Sequence, residues 1–120
     1  YSHLVVEEGV STIGRHMFYS AGFCTAKLPS TLMEIGVAAF EENTDLENVS
    51  FNVGLKRIGA EAFWGCSRLK SVELPEGLEE IGKYAFHGTA IEEVHIPKTV
   101  KKLHPNAFDK STKVIYLEED

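Results

Sequence analysis

Three side chains with hydrolytic chemistry stand at near-equal intervals in this sequence: Ser50, Glu73 and His95, framed as Val-Ser-Phe, Val-Glu-Leu and Val-His-Ile. A serine nucleophile, an imidazole base and a carboxylate act together only when the imidazole lies between the other two and bonds to both. On successive parallel strands about 4.8 Å apart, Glu73 would take the middle place and Ser50 would stand about 9 to 10 Å from His95. That order does not support nucleophilic catalysis, and no catalytic residue is assigned. The three read instead as a solvated column on one sheet face, in which Glu73 and His95 are close enough to pair.

Metal chemistry has no better footing. His3, His16, His87, His95 and His104 fall at five different phases of the repeat described below, and the sequence holds no C-x-x-C, H-E-x-x-H or EF-hand pattern. The acidic run Glu41, Glu42, Asp45 and Glu47 lacks the alternating oxygen ligands and the glycine of a calcium loop, so it reads as a solvated loop. The column glycines Gly14, Gly36, Gly59 and Gly82 come one per repeat, and the glycines form no phosphate cradle. No metal and no cofactor is expected.

The elements that must position these groups are repeats. LPEGLEEIGKYAFHG, from Leu74, recurs as LPSTLMEIGVAAFEE from Leu28, FNVGLKRIGAEAFWG from Phe51 and IPKTVKKLHPNAFDK from Ile96, with a looser VEEGVSTIGRHMFYS from Val6. The phenylalanines near the end of each copy, Phe18, Phe40, Phe63, Phe86 and Phe108, are spaced by 22, 23, 23 and 22 residues. Self-similarity at that period is the signature of a solenoid.

Each copy opens with a short strand signal in which apolar residues flank an outward one: Lys27, Ser50, Glu73 and His95. Pro29, Pro75 and Pro97 then stop the ladder. Apolar pairs three apart follow, such as Leu32 with Ile35 and Leu78 with Ile81. A straight strand would send such a pair to opposite faces, so a bend and a short extended piece are predicted. Gly14, Gly36, Gly59 and Gly82 form a column that demands either positive φ or close approach between rungs, and His104 breaks it. Ala39, Ala62, Ala85 and Ala107, with Met17 at the first copy, precede each Phe on an expected single helical turn. Stacked Phe rings would form the core, each contributing about 2 to 3 kcal/mol before entropy is counted. Met33-Glu34, Lys56-Arg57, Glu79-Glu80 and Lys101-Lys102 alternate in charge from copy to copy. Stacked in register they make an ion ladder of about 0.2 to 1 kcal/mol per pair that penalises slippage.

Length and charge bound the remainder. With 120 residues, 43% of them hydrophobic, the chain has one core and no interval for a second domain, so 1–120 is read as a single unit. Its 12 basic and 18 acidic side chains, formally −6, argue against nucleic acid. Partners are expected to be protein or glycan. No apolar run approaches the roughly 20 residues of a membrane span and no leader precedes the first copy, so no direct membrane insertion is expected. The chain opens at Tyr1 almost in repeat register and reads as a piece of a longer protein. Cys24 and Cys66 sit at different phases two copies apart, beyond the roughly 7 Å Cα limit of a disulfide. Two free thiols are expected.

The stretch LKSVELPEGL, from Leu69 to Leu78, fits the first half of the general leucine-rich repeat through Leu69, Val72 and Leu74, then departs with Gly77 in place of Asn or Cys. The recurring LP-x-x-L-x-x-IG-x-x-AF pattern resembles the BspA-type leucine-rich repeats of bacterial and protozoan surface proteins. That resemblance implies a right-handed leucine-rich-repeat-like solenoid of about five rungs, with a short parallel sheet, a bent second edge and single helical turns. It also implies an extracellular or cell-surface setting, a role in adhesion or host contact, and no shared catalytic residues. The expected function is a non-enzymatic, monomeric protein- or glycan-binding module. A structural spacer is the alternative, and a hydrolase a more distant one. The expected ligand face is the outward column of Lys27, Ser50, Glu73, His95 and Tyr116; the rival is the loop edge around Trp64, Arg68 and Tyr19.

Overall fold

The computed structural model of the chain describes residues 3–117, so the ends of the expected unit, residues 1–2 and 118–120, lie outside it. One side of the stack carries β1 (His3–Val5), β3 (Thr25–Lys27) and β5 (Asn48–Ser50) as a parallel three-stranded sheet. Further along the same side, β8 (Glu93–Ile96) and β10 (Lys113–Tyr116) form a parallel pair. Between them Val72–Leu74, expected as another strand, joins neither. A second side is a continuous five-stranded parallel sheet of β2 (Thr12–Ile13), β4 (Glu34–Ile35), β6 (Arg57–Ile58), β7 (Glu80–Ile81) and β9 (Lys102–Leu103).

The predicted bend lies between the two sides. Pro29, Pro75 and Pro97 each begin a tight turn in which their carbonyl accepts from the amide three residues on, at Leu32, Leu78 and Val100. The turn rotates the chain enough for both members of an apolar pair to enter the core, so Leu32 and Ile35, Leu55 and Ile58, and Leu78 and Ile81 are all buried.

The third side corrects the expectation of a helical turn. The chain makes two successive three-residue-spaced turns, Ala39 N to Gly36 O (3.3 Å) and Glu41 N to Ala38 O (3.2 Å), and the same pattern recurs along the stack. Alternate amides donate to the next rung instead: Ala38 to Ala60 O (2.9 Å), Phe40 to Ala62 O (2.8 Å) and Glu42 to Trp64 O (2.7 Å). A helix would keep those donors within its own turn. Turning them outward places His16, Ala38, Glu61 and Tyr84 in the left-handed region, at φ 57 to 60°. Main-chain hydrogen bonding between rungs therefore operates on all three sides.

Inside, the Phe spine is as expected. Phe40 and Phe63 stack at 5.1 Å and 4°, Phe63 and Phe86 at 5.2 Å and 4°, and Phe86 and Phe108 at 5.2 Å and 5°. The three central rings are fully buried. A Cβ on Gly36 would lie 2.7 Å from Ile13 O, and one on Gly82 would lie 2.6 Å from Ala60 N. The glycine column thus serves close approach, not positive φ. Where His104 replaces glycine, the amide-to-carbonyl distance to the previous rung is 3.1 Å, against 2.8 to 2.9 Å at Gly36, Gly59 and Gly82.

Three residues after each of Phe40, Phe63 and Phe86, a buried or half-buried polar side chain ties down the main chain. Asn43, fully buried, donates through Nδ2 to Phe18 O and Phe40 O (2.8 and 2.9 Å) and accepts at Oδ1 from the amides of Ala21 and Gly22 (3.1 and 3.0 Å). Cys66 Sγ donates to Phe40 O at 3.3 Å, and Thr89 Oγ1 to Phe86 O at 2.9 Å. Both cysteines are free: Cys24 is half-buried, and burial pushes the Cys66 thiol up to about 12.

Phe63→Ala should cost about 3 to 5 kcal/mol, read as a lower midpoint in denaturant unfolding; an unchanged midpoint would contradict the buried spine. Gly82→Ala should cost about 1 to 3 kcal/mol by overpacking. Gly14→Ala should be nearly silent, because the nearest atom to its Cβ is the flexible Met17 Cε at 3.5 Å. Equal losses at the two glycines would refute the close-approach reading. A thiol reagent at neutral pH should label Cys24 in the native protein but Cys66 only after denaturation, since a buried, protonated thiol is a poor nucleophile. Mass spectrometry of the labelled peptides separates the two.

Candidate functional site

Lys27, Ser50, Glu73, His95 and Tyr116 are all exposed, on the side of the stack where the sequence places them. Register brings some of them together. Val5, Lys27 and Ser50 are direct neighbours across β1, β3 and β5. In the second pair, His95 stands beside Ile115, whereas Tyr116 stands opposite Ile96. Tyr116 is therefore not in the outward column. The contracted last repeat shifts it by one residue, and in a strand one residue changes the face. A second outward row, missed in the sequence, runs two residues upstream: His3 beside Thr25 beside Asn48, and Glu93 beside Lys113. Period-2 alternation carried one step further would have found it.

The triad residues do not converge. His95 Nε2 lies 3.6 Å from Glu93 Oε2, a partner on its own strand, which replaces the expected pairing with Glu73. Ser50 and Glu73 border a cleft of about 360 Å³ that separates Asn48–Phe51 from Ser71–Pro75. A neighbouring hollow of about 460 Å³, lined by Glu47, Asn48, Arg68, Lys70 and Ser71, continues it toward the strand starts. The shared residues Asn48 and Ser71 make the two one trough, with Glu47, Arg68 and Lys70 at one end and Glu73 toward the other.

The rival edge is divided. Trp64 stacks on Tyr84 at 6.3 Å, Lys83 covers the Tyr84 ring at 5.1 Å, and Tyr84 meets His87 at 5.2 Å. His87 Nδ1 in turn lies 3.0 Å from Asp109 Oδ1, and both Asp109 oxygens accept from the amide of Gly88 at 3.1 Å. Tyr19, two rungs from Trp64, pairs with His16 on its own rung, and Arg68 sits at the trough with Asp45 at 3.7 Å. The Glu41 carboxyl is held above the usual carboxylate range by desolvation, with Glu61 adding repulsion. On the second sheet, Glu34, Arg57, Glu80 and Lys102 stand in register with alternating charge. The closest pair there, Arg57 Nη2 to Glu34 Oε1, is 3.5 Å and exposed. Among the described residues, no group of three or more His, Cys, Asp and Glu side chains is placed to hold a metal.

Comparison with known proteins agrees with this architecture. The family described as the BspA type leucine rich repeat region matches residues 1–115 in six copies. Among solved structures, a leucine-rich repeat protein from Bacteroides ovatus is 32% identical with a TM-score of 0.88, over 97% of this chain and 33% of that one. A leucine rich cell surface protein from Faecalibacterium prausnitzii is 29% identical with a TM-score of 0.90, over 99% and 33%. A leucine-rich repeat protein of T. pallidum is 26% identical with a TM-score of 0.84, over 88% and 52%. The chain thus spans between a third and about half of the length of these relatives. No curated protein matches it in sequence. With the phenylalanine spine, the glycine step and the paired sheets all in place across a match to residues 1–115, the chain belongs to the BspA type leucine-rich repeat family.

Proposed function

We infer that the chain is a non-enzymatic binding section of a secreted or cell-surface protein, and that its first strand side meets a protein or glycan partner, as in adhesion or host contact. The observation that carries this reading is the exposed, in-register strand side, where Lys27, Ser50 and His95 project from rigid strands and Glu73 borders a cleft. Strands place side chains more accurately than loops do. The cell-surface relative from F. prausnitzii supports the setting, and the net charge of −6 disfavours nucleic acid as partner. Since the chain covers only a third of two of its relatives, it is read as one section of a longer stack, monomeric as a unit. The strand side lacks the Trp and Arg anchors of strong interfaces, so useful strength would come from many rungs or many copies.

The test is retention of the purified chain on immobilised mucin glycans and on purified extracellular-matrix proteins. A spacer would be retained by none of them. With a retaining partner in hand, Glu73→Ala with His95→Ala should weaken retention, while Trp64→Ala should leave it unchanged. The reverse pattern, in variants that fold normally, would move the binding face to the Trp64 edge.

A further inference from the structure

Resting on the extracellular setting of that reading, we propose that Asn48 is an attachment site for an N-linked oligosaccharide. Asn48-Val49-Ser50 has the N-x-S pattern that such attachment requires. Asn43, Asn52 and Asn106 are followed two residues on by Asp45, Gly54 and Phe108, and so lack it. A three-residue pattern also arises by chance. What separates a usable site from an accidental one is how the fold presents it.

The pattern coincides with β5, in which Asn48 and Ser50 are exposed while Val49 packs against the core. Strand residues two apart share a face and stand about 7 Å from one another, so the carboxamide and the hydroxyl are offered together on one side. The carboxamide is also uncommitted. Asn43 donates to Phe18 O and Phe40 O, and Asn52 donates to Leu28 O at 2.7 Å, whereas the Asn48 side chain makes no hydrogen bond among the described residues. Its neighbour in register is the small Thr25. On its other side lies the hollow of about 460 Å³ that it lines with Glu47, Arg68, Lys70 and Ser71. A sugar rooted there has room, and it meets side chains that hydrogen-bond hydroxyls.

The donor is an oligosaccharide carried on a lipid diphosphate. Asn48 Nδ2 attacks C1 of the first sugar, so that an N–C bond forms and the C–O bond to the diphosphate breaks. The electron pair leaves with the diphosphate, and the amide proton passes to a base of the transferase. The interrupted first sheet gives the product a structural consequence. No strand pairs with β5 on its far side, so its free edge stands at the hollow. Such edges are ordinarily covered or charged, and a sugar at the start of β5 covers this one. It also crowds Ser50 on the same strand, so the ligand face of the modified protein rests on Glu73 and His95, on later rungs.

The test is to secrete the whole chain from cultured eukaryotic cells behind a cleavable signal segment and to map its peptides by mass spectrometry. The peptide holding Asn48 should carry an oligosaccharide, and an amidase that cleaves N-linked sugars should release it from the folded protein, leaving an aspartate at that position. Asn48→Gln and Ser50→Ala should each abolish the sugar. Ser50→Thr should keep it, because threonine retains the hydroxyl. Asn52 and Asn106 should stay unmodified in every form. The sugar-bearing and Asn48→Gln proteins should unfold at the same denaturant midpoint, since the side chain is exposed. Three results would overturn the proposal: no sugar on Asn48, a sugar that survives Ser50→Ala, or a lowered midpoint in the sugar-bearing form. If a mucin or matrix surface retains the protein and Asn48 carries no sugar, the binding role stands and the site is excluded. If Asn48 is modified and nothing retains the protein, the site stands and the binding role fails.

Discussion

The constraint on which this structure depends is the stacking distance. Phenylalanine rings that lie parallel at 5.1 to 5.2 Å and strands that hydrogen-bond across a similar spacing can coexist only if every rung repeats the same path. One fixed distance on the inside therefore dictates the others. It removes the Cβ at Gly36, Gly59 and Gly82, where backbone passes over backbone. It also puts an alanine beside each central Phe, since Ala39, Ala62 and Ala85 are fully buried and leave no room for a larger neighbour.

The same constraint explains why main-chain polarity is handled between rungs. On the third side the amides of Ala38, Phe40 and Glu42 find their acceptors on the next rung and not within a helix. Tandem turns send alternate amides to the next rung, at the cost of left-handed backbone at six non-glycine positions among the described residues: His16, Ser20, Ala38, Glu42, Glu61 and Tyr84. Left-handed geometry is unfavourable for residues with a Cβ by about 1 to 2 kcal/mol each, and the inter-rung hydrogen bonds and buried rings offset it. Asn43, Cys66 and Thr89 complete the scheme by satisfying Phe carbonyls that the turns leave over.

Against this regularity, the break at Ser71–Leu74 stands out as the place where the repeat rule is kept inside and dropped outside. Its apolar residues pack on the core, and its main chain does not join the ladder. The aromatic and charged edge at Trp64, Tyr84, His87 and Asp109 is different in kind, since its side chains largely engage one another.

The sequence by itself determined the repeat period, the buried spine, the column of glycines, the two free thiols and the alternating charges on the second side. All of these follow from residue type at a fixed spacing, which a single chain displays in full. Only the tertiary structure decided the rest. Whether the third side is helical depends on where its amides find acceptors, and those belong to the next rung, some 22 residues away. Tyr116 left the outward column because register is a relation between two strands, and His95 found Glu93 because the geometry of one strand brought them closer than the neighbouring rung did. Val72-Glu73-Leu74 has the same apolar alternation as Val94-His95-Ile96, yet one is unpaired and the other is a strand. Alternation specifies which side chains turn inward, whereas pairing depends on how closely the neighbouring rung lies.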